Sequence, residues 1–364
     1  IFLILICWKI KKKVNIAQPI NNHDFMKRHL ILAALLTIGA ANLNAASPKK
    51  TAPEQKGVET INRATAEAHI EFLACDELEG REAGWKGGRI AGNYIISCLK
   101  QMGLQPLFDD YVQPFEVCHA ERQIKNKRWQ VHPDSIAALK KTVHQKLDLR
   151  NILAKIEGKN PNEIVVIGAH YDHLGYDPTL EGDQIYNGAD DNASGVAAVL
   201  QVARAFLATG EQPERTVIFA FWDGEEKGLL GSRYFTMTYP ELKKIKGYLN
   251  YDMIGRNNNE EQPKGVVYFY TAAHPAFGDW LKKDIEDYRL QLEPDYRAWD
   301  NPVGGSDNGS FAKEGIPIIW YHTNGHPDYH LPGDEAAKIN WNKTVDITKA
   351  SFLAMWKLAN EKKY

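Results

Sequence analysis

Acidic and histidine residues recur at the ends of apolar runs from residue 168 onward in this 364-residue chain. Five segments contain them: 168–173, 187–195, 219–231, 249–255 and 327–334. Imidazole nitrogens and carboxylate oxygens suit zinc, and neighbouring carboxylates can divide metal binding and proton transfer between them. Each segment alone is also compatible with an ordinary turn or a solvated acidic loop.

The first two segments have residues whose spacing favours a metal site. His170 ends an apolar run, and extended backbone would place Asp172 on the same side, where its carboxylate could hold the second ring nitrogen of a metal-bound His170. Asp190, Asp191 and Asn192 stand in a row, which is costly to bury unless cations compensate. A turn with a helix N-cap is the alternative.

The other three segments add carboxylates and histidines. An apolar strand runs into the adjacent Glu225 and Glu226, and Asp252 interrupts another apolar strand. A charge in a buried strand needs a partner or a metal. The last segment and its surroundings offer three histidines, and their spacing does not choose between them: His322, His326 and His330.

Alternating strands and helices must position these side chains. Runs rich in Val, Ile, Phe and Tyr predict strands at 111–117, 151–156, 163–170, 216–222, 248–253, 266–270 and 316–321. Helical patterns lie at 64–73, 88–102, 195–208, 229–237, 276–289 and 345–357. This alternation predicts an α/β sheet covered on both faces, whose site lies outside the carboxyl ends of the strands.

The types of these candidate residues and their order along the chain together resemble one family. The chain is similar to the co-catalytic zinc aminopeptidases of the bacterial leucyl-aminopeptidase type, in clan MH, a superfamily shared with glutamate carboxypeptidases, glutaminyl cyclases and the transferrin-receptor ectodomain. The likeness runs from about residue 64 to the C-terminus and includes the loop 73–81, Leu-Ala-Cys-Asp-Glu-Leu-Glu-Gly-Arg. It implies a three-layer α/β/α sandwich with a central mixed, mostly parallel sheet.

The resemblance implies two Zn²⁺ ions per chain. Asp191 would bridge them. His170 and Asp252 would complete one position, and Glu226 and His330 would complete the other. Every ligand of that pattern is present here, whereas receptor-like relatives have lost metal ligands.

The resemblance also implies roles beyond the ligands. Glu225 would be the general base, Asp172 would orient His170, and Tyr329 would donate a hydrogen bond to the developing oxyanion. Many relatives have Ser-Asp-His where this chain reads Ser-Asp-Asn at 306–308, so the outer role of Asp307 stays open.

The activity implied is hydrolysis of the N-terminal peptide bond of peptides with a free amino end. A glutaminyl cyclase or another zinc hydrolase on the same scaffold is the alternative, followed by a non-catalytic binding domain. A net charge of −2 without a concentrated basic face argues against a nucleic-acid partner. We expect no stable membrane insertion. The oligomeric state and the preferred N-terminal residue do not follow from the sequence.

The N-terminal region predicts processing. Met26 precedes basic residues, a short apolar run and small residues, so 26–46 reads as a secretory signal peptide and 1–25 as upstream sequence translated in error. An amphipathic anchor in 1–14 is the alternative.

We expect a flexible lead-in at 47–58 and a single peptidase domain at 59–364, with a covering excursion at about 105–148. Cys75, Cys98 and Cys118 indicate no disulfide framework, although one bridge is possible.

We therefore predict a secreted or periplasmic protein whose mature chain starts near Ala46. N-terminal sequencing of the exported protein checks this. A mature chain that retains residues 1–25 would contradict it.

Overall fold

A mixed sheet lies at the centre of the fold in the computed structural model, which describes residues 51–121, 128–299 and 305–364. Its strands are β1 (Gln105–Pro106), β2 (Val112–Ala120), β3 (His144–Ile156), β4 (Asn160–His170), β7 (Arg215–Trp222), β8 (Ile245–Tyr251), β9 (Gly265–Thr271), β10 (Glu293–Trp299) and β11 (Ile318–His322). The short strands β5 (Gly175–Tyr176) and β6 (Ile185–Tyr186) pair separately. In the described ranges the order is β1-β3-β7-β4-β8-β11-β9-β10, with β2 also paired to β3.

The four central strands are parallel. Strand β4 pairs in parallel with β7 and β8, and β8 pairs in parallel with β11. Antiparallel pairings flank them, at β3–β7 and β9–β11. Every residue of β7 is buried, which explains its continuous apolar run from Val217 to Trp222. The carboxyl ends of the central strands therefore meet at one edge of the sheet.

Helices cover both faces of the sheet. They are α1 (Pro53–Thr60), α2 (Arg63–Leu73), α3 (Lys86–Gln101), α4 (Pro133–Leu139), α5 (Gly195–Thr209), α6 (Leu230–Thr238), α7 (Ala276–Tyr288), α8 (Asn308–Ala312) and α9 (Trp341–Asn360). Apolar residues of α2, α3, α5, α7 and α9 pack in one core, whereas Phe235 of α6 and Phe311 of α8 pack in the core on the other face. The predicted α/β/α sandwich with a mixed central sheet is confirmed.

Three local predictions differ from the structure. The segment 47–58 was expected to be flexible, but its described part contains most of α1, because Pro53 starts a helix well and Val58 is buried in the core. Asp252 does not interrupt β8, since the strand ends at Tyr251. Strand β10 was not predicted, because its polar sequence lies at the edge of the sheet.

Other expectations lie partly or wholly outside the described residues. The predicted signal peptide at 26–46 and the segment 1–25 are among them. In the described part of 105–148, β2 pairs along β3 and widens the sheet. No described helix has the length and hydrophobicity that a bilayer span requires. Cys75, Cys98 and Cys118 are free thiols.

Gly168 lets two aromatic side chains pack beside the strand that carries His170. A Cβ at Gly168 would lie 2.6 Å from Trp222 Nε1 and 2.9 Å from the Tyr248 hydroxyl, which are hydrogen-bonded to each other. We predict that Gly168→Ala lowers the free energy of unfolding by about 1–3 kcal/mol, the usual cost of overpacking. Urea denaturation measures it. Gly325→Ala is the control, since its Cβ would meet nothing within 4 Å, and equal stability of the two variants would contradict the prediction.

Candidate metal centre

Four of the predicted site residues lie at or just beyond the carboxyl ends of the central parallel strands. His170 is the last residue of β4, and Asp252 directly follows β8. Glu225 and Glu226 lie in the turn after β7, which ends at Trp222. Because β4 and β7 are aligned with His170 opposite Trp222, these side chains converge at the same edge.

Asp191 lies at the centre of the cluster. One carboxylate oxygen, Oδ1, is 3.3 Å from His170 Nε2, and the other, Oδ2, is 3.2 Å from His330 Nε2. Asp252 Oδ1 is 3.7 Å from the same nitrogen of His170. The structure thus places Asp191 between the two predicted groups of ligands.

Glu226 and His330 lie on the more open side of Asp191. His330 Nε2 is 3.3 Å from Glu226 Oε2, and the side chain of His330 is 38% exposed. Tyr329 stacks on the His330 ring with 3.9 Å between ring centroids. Its side chain is exposed, so this edge of the cluster faces solvent.

Asp172 has a different contact from the one that we predicted. The hydrogen-bond partner of His170 Nδ1 is the backbone carbonyl of Asp172, at 3.1 Å. The carboxylate lies 3.7 Å from that nitrogen and instead accepts hydrogen bonds from the amides of Glu225 and Glu226, at 3.0 and 3.3 Å. Asp172 therefore fixes the turn that carries the glutamate pair.

The environment shifts the pKa values of the two adjacent glutamates in opposite directions. Burial raises the pKa of Glu225 well above its ordinary value, with the charges of Glu226 and Asp252 adding to the effect and His170 opposing it. Burial acts on the pKa of Glu226 in the same direction, but hydrogen bonds from His173 and His330 hold it below its ordinary value. Glu225 is thus the carboxylate that favours taking up a proton.

Asp307 is buried near this cluster. Burial raises the pKa of its carboxyl to about 7, although His170 acts in the opposite direction. The charge of Asp307 in turn contributes to the raised pKa of Glu225. Asp307 therefore influences Glu225 electrostatically, in keeping with an outer position.

Asp334 fixes the backbone of the turn before α5. Its carboxylate accepts hydrogen bonds from the amides of Asp190 and Asp191, at 3.1 and 3.0 Å. The peptide bond between Asp191 and Asn192 is cis, and the Asn192 side chain donates to the carbonyl of Tyr251. These contacts set where the Asp191 carboxylate points.

The structure distinguishes the three candidate histidines. Only His330 of these three contacts Asp191 and Glu226. His326 is buried next to Asp190, 3.4 Å from its Oδ2, and the Nδ1 of His322 lies 2.6 Å from the carbonyl oxygen of Asp252.

Arg81 is a buried cation beneath the cluster. Its guanidinium donates to the carbonyls of Leu73, Asn187 and Gly188 at 2.6, 2.5 and 2.9 Å, and to that of Tyr171 at 3.0 Å. It thereby ties the loop 73–81 to the segment that leads into Asp191.

His173 was missed by the sequence analysis. Its Nδ1 is 2.8 Å from Glu226 Oε1 and its side chain is fully buried. His173 lies three residues after His170, so a continued strand would point the two rings to opposite faces. The chain leaves the strand after His170, and the ring points back into the cluster. The motif His-x-Asp-His was the available signal.

The donor set fits zinc. Three groups of His, Asp and Glu have ligand atoms within 4.8 Å of one another: His170, Asp191 and Asp252; His170, Glu225 and Glu226; and His173, Asp191 and Glu226. Buried carboxylates and imidazoles at such separations are the ligands of catalytic zinc sites. The cluster thus has the chemistry to hold metal ions and to activate water.

A family comparison agrees with this chemistry. Residues 151–355 match the model of peptidase family M28. The chain belongs to this family. An aminopeptidase of Pseudomonas aeruginosa is 38% identical over 133 residues, which are 36% of this chain and 23% of that protein. The chain spans less than half of the length of the curated relatives that it matches.

Solved structures share the M28 chain's fold. A zinc aminopeptidase from Bacillus subtilis has a TM-score of 0.62 at 15% identity, covering 84% of this chain and 97% of that one. A glutaminyl cyclase from Porphyromonas gingivalis has a TM-score of 0.58 at 17% identity, covering 81% and 98%. One fold therefore serves both reactions, and the residues of the site must decide between them.

We predict that Arg81→Met destabilises this M28 chain by about 3–5 kcal/mol, since it leaves buried carbonyls without donors and removes a cation beside the carboxylates. Arg63→Met is the matched control. Arg63 pairs with Glu67 at the surface with its side chain 58% exposed, so its loss should cost about 1 kcal/mol or less. Urea denaturation of both variants measures the difference, and equal losses would contradict the role given to Arg81.

Proposed function

We propose that the chain is an aminopeptidase that hydrolyses the N-terminal peptide bond of peptides with two zinc ions. The convergence of four ligand-type side chains on Asp191, with Glu225 beside them, carries the proposal; the four are His170, Asp252, Glu226 and His330. His170, Asp191 and Asp252 would hold one ion, and Asp191, Glu226 and His330 the other. The similarity to an aminopeptidase of Pseudomonas aeruginosa supports the proposal.

Bound zinc would lower the pKa of a water molecule and polarise the scissile carbonyl. Glu225 would accept the proton of the attacking water and pass it to the leaving amine. The Asp172 carboxylate accepts hydrogen bonds from the backbone amides of both glutamates. Glu225 and Glu226 are therefore fixed in separate positions and can have separate roles.

The same carboxylates explain a preference for the chain end. The negative charges of Glu225 and Asp252 would attract the ammonium of a free N-terminus. Tyr329 would donate a hydrogen bond to the oxyanion. The partial burial of Tyr329 and the nearby carboxylates Asp191 and Glu226 raise the pKa of its hydroxyl, so the hydroxyl stays protonated and can act as a hydrogen-bond donor.

The substrates would be peptides with a free amino end. Because a signal peptide is predicted at 26–46, we expect the enzyme to meet them in the periplasm or outside the cell.

We predict that Glu225→Gln keeps both metal ions but lowers the rate about a hundred- to ten-thousand-fold, as removal of a general base does. Glu226→Gln should lose zinc, because it removes a charged ligand. Zinc analysis beside the rate on a leucyl anilide measures both effects. Glu214→Gln is the control, at a carboxylate paired with Lys159 on the surface. A near-normal rate for Glu225→Gln, with Glu226→Gln inactive at full zinc content, would reverse the two roles.

A peptide that begins with Gln tests the function against the cyclase alternative. Loss of the whole Gln residue is expected for an aminopeptidase, whereas loss of ammonia from an intact chain would indicate cyclisation. Mass spectrometry distinguishes the two products. The N-acetylated peptide is the matched control, because a blocked amine cannot enter as an ammonium. Cleavage of the acetylated peptide at the same rate would contradict exopeptidase action.

A further inference from the structure

His173 is a buried histidine to which the proposed function assigns no role. Its Nδ1 faces the cluster, 2.8 Å from Glu226 Oε1 and 3.8 Å from Asp191 Oδ2. Its Nε2 is buried and has no hydrogen-bond partner among the described residues. The polar interactions that fix this ring are therefore on the side of the cluster, where a metal would bind.

The spacing around His173 is that of a ligand set. Five atoms of four side chains surround the more open position: His173 Nδ1, His330 Nε2, Asp191 Oδ2 and both carboxylate oxygens of Glu226, of which Oε1 lies beside His173 and Oε2 beside His330. A tetrahedral zinc with bonds of about 2.0–2.2 Å separates its ligand atoms by roughly 3.3–3.6 Å. His173 Nδ1 is 2.8 Å from Glu226 Oε1 and 3.8 Å from Asp191 Oδ2, and His330 Nε2 is 3.2 Å from Asp191 Oδ2 and 3.3 Å from Glu226 Oε2. These four nitrogen–oxygen separations bracket that distance.

The two positions around Asp191 differ in their number of protein donors. The inner position has His170, Asp191 and Asp252. The outer position has Asp191, Glu226 and His330, and His173 would add a fourth. Catalytic zinc keeps a coordination position open, whereas zinc with four protein ligands is held more firmly.

We propose that His173 is a direct ligand of the metal at the outer position, in addition to the ligands named above. This inference rests on the proposed two-zinc site. It implies that the outer ion is bound by four protein side chains and is the less exchangeable of the two. The competing explanation is that His173 only donates a hydrogen bond to Glu226.

Two isosteric variants separate these explanations. The amide nitrogen of His173→Asn can take the place of Nδ1 and keeps a donor for Glu226. His173→Asp offers a ligand oxygen at the same place but no donor. If His173 is a ligand, His173→Asn should weaken one zinc by more than the ten- to hundredfold typical of losing an outer hydrogen bond, and His173→Asp should bind that zinc more tightly than His173→Asn.

Competition with a chromogenic chelator measures both zinc affinities in the purified chain, and circular dichroism checks that each variant is folded. Zinc-edge X-ray absorption supplies a readout that charge alone does not change. The average number of imidazoles per zinc should be about 1.5 in the wild type and about 1 in His173→Asp, because His170 and His330 would then be the remaining imidazole ligands.

The inference is overturned if His173→Asn binds both ions within about a hundredfold of the wild type, if His173→Asp binds no better than His173→Asn, or if the imidazole count is the same in wild type and His173→Asp. In these cases the two-zinc proposal stands and only His173 is reassigned. A wild-type chain without zinc would overturn both.

Discussion

The concentration of buried negative charge at one edge of the sheet is the constraint on which the site depends. Asp172, Asp191 and Asp252 are all buried there, beside Glu225 and Glu226. Carboxylates that leave water are costly unless positive charge or hydrogen bonds compensate them. Arg81 supplies one buried cation beneath them, and amides bind Asp172 and Asp334. The proposed zinc ions would supply the rest.

The fold creates this concentration by topology. Parallel β4, β7 and β8 end at the same edge, so residues far apart in sequence arrive together. The turn before α5 then adds Asp191, and the segment after β11 adds His330. The carboxylates of Asp172 and Asp334 accept hydrogen bonds from backbone amides and so fix the backbone that carries the ligands. A metal could thus bind without rearrangement of the sheet.

The central strands and the order of the candidate ligands could be predicted from the sequence, because buried parallel strands have long apolar runs and the polar residues follow them directly. Strand β10 could not, since Glu293–Trp299 is an edge strand with a polar sequence. The contacts of Arg81 join segments more than a hundred residues apart, which no local pattern reveals. His173 was missed because a strand that continued past His170 would point the two rings to opposite faces. The strand instead ends at His170, and local patterns do not show this.

The proposed function depends on two metal ions that share Asp191. A crystal structure of the protein purified with zinc, with anomalous data collected on both sides of the zinc absorption edge, tests this most directly. We predict two peaks, one on either side of the Asp191 carboxylate and about 3.5–4 Å apart, as in other two-metal hydrolases. A single fully occupied peak, or two peaks of which neither contacts Asp191, would contradict the account.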